Sequence, residues 1–146
     1  LLVQHVFPEF TSPIGFLRAR AVWVFGQYGD MPFRVKHHLG QATKCTLNLF
    51  RDPDVPVRYA AATAFKLVLE NESSQVDEVV TPIFGDVVEE YFGMMGELPV
   101  DDVVTALEYL IGRFGPLAVE FAEPLLARLI DCWRHYVALA DDDADG

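Results

Sequence analysis

The sequence predicts an all-α protein in which about three pairs of antiparallel helices stack side by side as a segment of an α-solenoid. Three observations lead to this fold class. Apolar residues recur at steps of three and four positions, as on one face of a helix. Short runs of glycine, proline and polar residues separate these stretches. A sequence motif also recurs at intervals of about 40 positions, the period of stacked helix pairs.

The clearest helical stripe lies between residues 76 and 95, where the apolar spacing persists for five turns. Similar stripes begin at Ile14 and at Val57. Apolar and polar residues nowhere keep the strict alternation of a strand, so strands are the weaker interpretation. The predicted helices are 1–7, 13–28, 35–51, 54–71, 81–96, 100–114 and 116–138.

Helix ends are predicted from caps and breakers. Thr81 is predicted to cap a helix that has Pro82 in its first turn, which leaves residues 76–80 as a short lead-in turn. Pro124 is predicted to kink the last helix or to mark its true start. The acidic run at 141–145 has no apolar residue to contribute to a core, so residues 139–146 are predicted to be a disordered tail.

The repetition is visible in aligned residues. Residues 18–25 read Arg-Ala-Arg-Ala-Val-Trp-Val-Phe, and residues 58–65 read Arg-Tyr-Ala-Ala-Ala-Thr-Ala-Phe, 40 positions later (58 − 18). The Thr-Ala pair at 63–64 returns at 105–106, after 42 positions (105 − 63). The spacing favours an array of helix pairs at about 13–51, 54–96 and 100–138, with residues 1–7 as the end of a preceding repeat.

The second repeat begins Asp52-Pro53-Asp54-Val55-Pro56-Val57-Arg58, followed by Tyr-Ala-Ala. This stretch resembles the first-helix start of a HEAT repeat. Asp52 is suited to cap free N–H groups, and prolines suit a first helical turn. The alanines allow a neighbouring helix to approach closely, and Arg58 is long enough to reach a carboxylate or carbonyl in the loop.

A wider resemblance covers nearly the whole chain. The stretch Val6-Phe7-Pro8, followed by Arg18-Ala-Arg-Ala-Val-Trp23-Val, is similar to a mid-chain region of importins of the importin-seven and importin-eight class, including plant importin-β-like relatives. The likeness continues through 49–57, 101–114 and 116–133, and ends on an acidic run. The chain therefore resembles a mid-chain HEAT-repeat segment of the importin-β superfamily, with a repeat signature of Arg18, Trp23, Asp52, Pro53 and Arg58.

The resemblance implies a nuclear transport receptor. Such a receptor shuttles between cytoplasm and nucleus, binds protein cargo, and engages the GTPase Ran and the Phe-Gly repeats of pore proteins through its full length. The alternatives are a HEAT-repeat structural adaptor subunit and a Ran-dependent exportin relative. The chain starts within an apolar pattern, without an initiator methionine or a basic segment typical of a signal peptide, which indicates a piece of a longer protein.

The net charge of the chain indicates which classes of partner to expect. Twenty-two acidic against 11 basic residues give a net charge of −11. A field of this sign repels phosphate backbones and attracts basic proteins, so we expect basic cargo and no direct contact with nucleic acid. No apolar run approaches the roughly 18–20 residues of a membrane span, so no membrane partner is expected. The residues predicted to face cargo are Asp86, Glu89, Glu90, Glu120, Asp131, Asp141, Asp142, Asp143 and Asp145. The alternative for the 141–145 run is a solvated loop.

The sequence shows no set of residues spaced for catalysis or for metal binding. His37 and His38 are adjacent and point about 100° apart on a helix, so they chelate a metal poorly. Cys132 and His135 supply two possible zinc ligands without a second pair. Cys45 and Cys132 are predicted to be buried thiols in a reducing compartment. We therefore expect no catalytic, metal or cofactor site and no enzymatic activity.

Aromatic residues at helical spacing are expected to fill the core. This group comprises Trp23, Phe25, Phe65, Phe84, Phe92, Phe114, Phe121 and Trp133. Phe7 and Phe10, on either side of Pro8, are predicted to be partly exposed. Apolar surface is expected at residues 1–6 and on the 116–138 helix, since the outer helices of a stack have a neighbour on one side only.

Overall fold

The structure is a computed structural model that describes residues 1–28, 36–70, 72–95 and 100–144. Within these ranges the side chains of 36, 100, 132, 135, 136 and 138–144 are not described. Two of the glycine-containing runs that separate the predicted helices, 29–30 and 96–99, therefore lie outside the described residues, as does Asp145.

The described residues form eight α-helices with short turns between them and contain no strand, which confirms the predicted all-α class. Residues Leu2–Val6 form a π-helical turn, and Phe7–Thr11, Leu49–Arg51 and Thr81–Ile83 are 3₁₀ turns. The α-helices are α1 (Gly15–Gln27), α2 (Lys36–Asn48), α3 (Val55–Leu69), α4 (Ser74–Val80), α5 (Phe84–Gly93), α6 (Val100–Arg113), α7 (Gly115–Glu120) and α8 (Ala122–Ala144).

The first helices of the three repeats, α1, α3 and α6, lie side by side in one layer. They are parallel, because matching ends meet. Arg18 at the start of α1 reaches Asp54 before α3, whereas Gly26 at the end of α1 lies against Ala64 near the end of α3. In the same way, Arg113 at the end of α6 donates to the Leu69 carbonyl at the end of α3. The helices of Arg18 and Arg58 are thus equivalent layers, as the repeat predicts.

The second layer contains α2, the α4–α5 pair and the α7–α8 pair. The α2 helix packs against both α3 of the first layer and α4 of the next repeat. An apolar seam runs between the two layers from repeat to repeat. Phe50 contacts Phe65 and Tyr91 edge-on, with ring centroids 5.6 and 5.2 Å apart, and the Tyr91 hydroxyl donates to the Ala62 carbonyl at 2.9 Å. The three aromatic side chains of this node and Ala62 are all buried, so one core joins the repeats.

The second helix of the middle repeat begins earlier than predicted. Residues 76–80 belong to α4, whose N-terminus is capped by the Ser73 side chain accepting from the Gln75 N–H. Thr81 is not an N-cap; it lies in a 3₁₀ turn that joins α4 to α5 and makes no capping bond. Pro82 in this turn removes one N–H and so bends the element without ending it.

The last predicted helix is two helices. The helix is interrupted at Phe121, between α7 and α8. Pro124 lies in the first turn of α8, which agrees with its predicted role at a helix start. The α8 helix extends to Ala144, so the backbone of 139–144 is helical where a disordered tail is predicted. The physical reason is that a helix already formed extends at little cost, since nucleation is the expensive step.

The aromatic residues divide between core and surface. Phe25, Phe65, Phe84, Phe92 and Phe114 are buried, as predicted. The prediction was wrong for three others, since Trp23, Phe121 and Trp133 are exposed. The Arg20 guanidinium lies 4.3 Å from the centre of the Trp23 ring, so this indole contacts a cation at the surface.

Of the two phenylalanines beside Pro8, Phe7 is partly exposed as predicted, whereas Phe10 packs more tightly than predicted. Phe10 is buried and Phe7 is half-buried, because both rings contact Phe25 at 6.0 and 5.8 Å. These aromatic contacts attach the turns at 1–11 to α1.

Apolar surface is exposed at both places where the sequence predicts it. Leu1 and Val3 are exposed, and so is a stripe on α8 at the helical spacing of Leu126, Leu129, Ile130 and Trp133. We call these four residues the α8 stripe. Among the described helices, none is long and apolar enough to cross a membrane.

We expect the α8 stripe to make the chain associate as its concentration rises, because water-exposed apolar faces are buried by contact. Light scattering after size exclusion should give an average mass above the 16.4 kDa of the monomer at high concentration. Leu126→Lys should reduce this excess mass, whereas Ile111→Lys, at an exposed apolar residue of α6, should not. A monomer mass at every concentration would contradict the prediction.

Candidate protein-interaction surface

The exposed face of α5 carries the residues that the sequence predicts to face cargo. Asp86, Glu89 and Glu90 project from this helix on the outer side of the second layer. The opposite face supplies Phe84, Val87, Val88, Tyr91 and Phe92 to the core, and this strong division of polar and apolar residues fixes which way the carboxylates point.

Two of these carboxylates form ion pairs between repeats. Arg51 donates to Glu90 at 2.6 Å, and Arg128 donates to Glu89 at 2.8 Å. Both pairs join residues 39 positions apart, which is the repeat spacing. Because Arg51, Glu89 and Arg128 are half or more exposed, these pairs add little stability and mainly set the positions of the side chains. Asp86 forms no ion pair with any described residue and is exposed.

Of the other predicted cargo-facing residues, those whose side chains the structure describes do not join this group. Glu120 is exposed at the end of α7, and Asp131 is exposed on α8, where its nearest cation is Arg134 at 3.8 Å. Asp141, Asp142 and Asp143 belong to the backbone of α8, but their side chains lie outside the described residues, as does Asp145. The surface thus gathers Asp86, Glu89 and Glu90 and leaves Glu120 and Asp131 separate.

Two grooves flank α5. The first has a volume of about 220 Å³ and lies between α5 and the end of α2, with Leu47, Phe50 and Val87 among its lining residues. The second has a volume of about 370 Å³ and lies between α5 and the α7–α8 pair. Phe121 and Leu125 form one of its walls. These grooves depend on packing between residues about 40 positions apart, so no local sequence pattern predicts them.

A second acidic area lies between the second and third repeats, where α3 and α6 end. Glu70, Glu72, Asp77 and Glu108 surround a depression of about 630 Å³ beside Tyr109 and Arg113. Arg113 fills part of it by donating to Asp77 at 2.7 Å and to the Ser73 carbonyl at 2.9 Å. The charge of Glu70 raises the pKa of the Tyr109 hydroxyl. The sequence shows these carboxylates singly, and no local pattern predicts that they surround one depression.

Three of the repeat signature residues, Arg18, Asp52 and Arg58, form a polar cluster between the first and second repeats. Arg18 donates two hydrogen bonds to Asp52, at 2.7 and 2.8 Å, and one to Asp54 at 3.0 Å. The hydrogen bond from Arg18 holds the pKa of the Asp52 carboxyl below its ordinary value. Each arginine also binds the carbonyl six residues before it: Arg18 that of Ser12, at 2.8 Å, and Arg58 that of Asp52, at 2.7 Å. This shared contact places Arg18 and Arg58 at equivalent positions in the first two repeats.

The cysteine prediction is borne out in part. Cys45 is half-buried on α2, and burial raises the pKa of its thiol, which lowers its reactivity as a thiolate. The side chains of Cys132 and His135 lie outside the described residues.

Comparison with known proteins finds relatives along the full chain. The chain is 35% identical over 135 residues, 92% of its length, to the importin beta-like SAD2 homolog of Arabidopsis thaliana. It is 34% identical over 147 residues, 100% of its length, to an importin-7 homolog of Dictyostelium discoideum, and 27% identical over 92% of its length to mouse importin-8. It spans only 13 to 14% of the length of these relatives. No family model and no solved structure matches the chain.

Proposed function

We propose, from the homology of this chain to one segment of importins of the importin-7 and importin-8 class, that it forms part of a nuclear transport receptor. The proposed role is to bind protein cargo without catalysis. The single observation that carries this proposal is collinear identity over 92 to 100% of the chain with two relatives from distant organisms. The layered repeats of the structure agree with that resemblance and so support the proposal.

The cargo proposed for this segment is basic protein. A net charge of −11 and the exposed carboxylates of α5 support this class, since opposite fields accelerate encounter and favour pairing. Asp86, Glu89 and Glu90 are the proposed cargo contacts of α5, with Glu120, Asp131 and the 141–145 run as further acidic positions. Long-range attraction of this kind weakens as salt screens the charges.

Ran and pore proteins are proposed partners of a complete receptor, since the matched segment is only 13% of the length of the Arabidopsis relative. The corresponding location is shuttling between cytoplasm and nucleus. The proposed partners and the proposed location both follow from the class of the relatives. Neither identifies a contact residue in this chain.

The test exchanges the aligned segment of the full-length Arabidopsis relative for this chain. We expect the chimera to retain immobilised core histones, to release them when Ran bound to GTP is added, and to enter nuclei of permeabilised cells. The matched control receives a HEAT segment of equal length from a structural scaffold subunit. A chimera with the parent's helical circular dichroism and melting temperature, but without import while the parent imports, would overturn the proposal.

A further inference from the structure

The two grooves beside α5 adjoin each other on the surface, and we call them together with the ridge between them the α5 ridge element. They share Ile83 and Asp86, which lie on the ridge between them. The grooves are separated by the width of α5, and packed helices are spaced by about 8–10 Å. A segment crossing α5 would therefore meet an apolar hollow, a carboxylate and a second apolar hollow within about 10 Å.

The floors of both grooves are apolar. Val87 and Phe50 line the first, and Val88, Phe92 and Leu125 line the second; all five are buried. The second groove is shaped by Gly85, because a Cβ there would lie 2.8 Å from the Phe121 ring. Glycine lets this half-exposed ring close against α5 and form the wall. A groove of about 370 Å³ is within the range of sites that enclose a side chain and its adjacent backbone.

At the rims of the two grooves, charged side chains that are not already in an ion pair with a described residue are negative. The second groove is lined by Asp86 and Glu89 and by no cationic side chain. In the first groove, Arg51 is paired with Glu90. Asp86 has no cation partner among the described residues, so it remains available to an external lysine or arginine at the centre of the element.

We infer that the α5 ridge element binds an extended protein segment in which two apolar side chains, three positions apart, flank a lysine or arginine. Polyproline-type segments rise about 3.1 Å per residue with three residues per turn, so residues i and i+3 lie on one side about 9 Å apart. This distance is close to the separation of about 8–10 Å expected across α5. The residues between the two apolar positions point about 120° to either side, and the long side chain of a lysine or arginine there extends back to the Asp86 carboxylate. This inference rests on the proposed function and specifies the chemistry of its cargo.

The test uses the 146-residue chain and fluorescein-labelled synthetic peptides in anisotropy titrations. The probe is Gly-Ser-Leu-Lys-Lys-Leu-Ser-Gly, and its variants replace both leucines by serine, replace both lysines by serine, or remove one lysine to shorten the spacing. We expect each variant to bind about tenfold more weakly than the probe at low salt, because each removes one of the required elements.

A matched pair of protein variants separates a local contact from the general field. Asp86→Lys should weaken probe binding about tenfold, whereas Glu108→Lys, with the same charge change at an exposed residue of α6, should alter it less than about twofold. Equal losses in both variants, or equal binding of the leucine-free peptide, would overturn the inference. Circular dichroism checks that both variants are folded. If these titrations fail while the chimera imports histones, the proposed function stands and the inference alone is lost.

Discussion

Gly26→Leu is expected to destabilise the chain by about 3 kcal/mol, as judged by urea unfolding, because overpacking against backbone cannot relax by a rotamer change. Gly26 is buried in α1 where it crosses α3. A Cβ at this position would lie 2.7 Å from the Ala64 Cα and 2.8 Å from its Cβ. A leucine would therefore have to push the first two repeats apart and would open the seam between them.

The control for this prediction is Gly112→Leu. Gly112 lies in α6, and a Cβ there would meet no atom within 4 Å. Since leucine favours a helix over glycine by up to about 1 kcal/mol, this variant should be neutral or slightly more stable. Equal destabilisation of the two variants would show that the close approach of α1 and α3 does not hold the repeats together.

The position of Gly26 shows what the sequence could and could not predict. The repeat spacing and the alanines at 60–64 predicted that another helix approaches α3 closely. They did not identify which residue of α1 would meet Ala64, because that depends on the axial shift between the two helices. The apolar period determines the face of a helix but leaves this shift open.

The α5 surface shows the same limit for function. Asp86, Glu89 and Glu90 were predicted as exposed carboxylates from local pattern, and the structure places all three on one face. Their partners Arg51 and Arg128 lie 39 positions away on either side. Only the stacking of repeats brings them together. The sequence therefore predicted that this surface carries carboxylates. The grooves, and the lack of an ion-pair partner for Asp86 among the described residues, are visible only in the packed structure.

Trp23 and Trp133 show why exposure could not be assigned from composition. Aromatic residues usually fill cores, and both occur within a helical apolar pattern. Trp23 is nevertheless exposed beneath Arg20, and Trp133 belongs to the α8 stripe. In a stack of repeats, a helix has apolar contacts with the repeats before and after it as well as with its own partner. A wide apolar face is therefore compatible with either burial or exposure.

Asp52→Asn is expected to cost about 2 kcal/mol of stability at neutral pH, since it weakens charge-assisted hydrogen bonds at a site shielded from water. Asp52 is only 8% exposed and accepts two bonds from Arg18 and one from the Asp54 N–H. Asparagine keeps the size of the side chain but removes its charge and places an N–H₂ group where one acceptor oxygen was. Arg18 would then lie between the repeats without its principal partner.

The pH dependence of this cost identifies its cause. Arg18 holds the pKa of the Asp52 carboxyl below the ordinary 3.8, so the charged carboxylate favours the folded state. The stabilisation is complete above the pKa of the unfolded chain and is lost as the pH falls through the lower folded pKa. The difference in unfolding free energy between wild type and Asp52→Asn should be constant near neutral pH and shrink below about pH 4.

Asp54→Asn supplies the matched comparison, because Asp54 binds the same arginine from an exposed position. Its carboxylate accepts from Arg18 at 3.0 Å while 53% of the side chain is exposed. Water screens such a pair, so its loss should cost less than about 1 kcal/mol. If the two variants were equally destabilised, or if the Asp52→Asn difference did not change with pH, the bonds from Arg18 to Asp52 would not be what joins the first repeat to the second. A larger loss at Asp52 that disappears in acid would instead identify this carboxylate as the polar link between neighbouring layers, which the apolar seam alone does not provide.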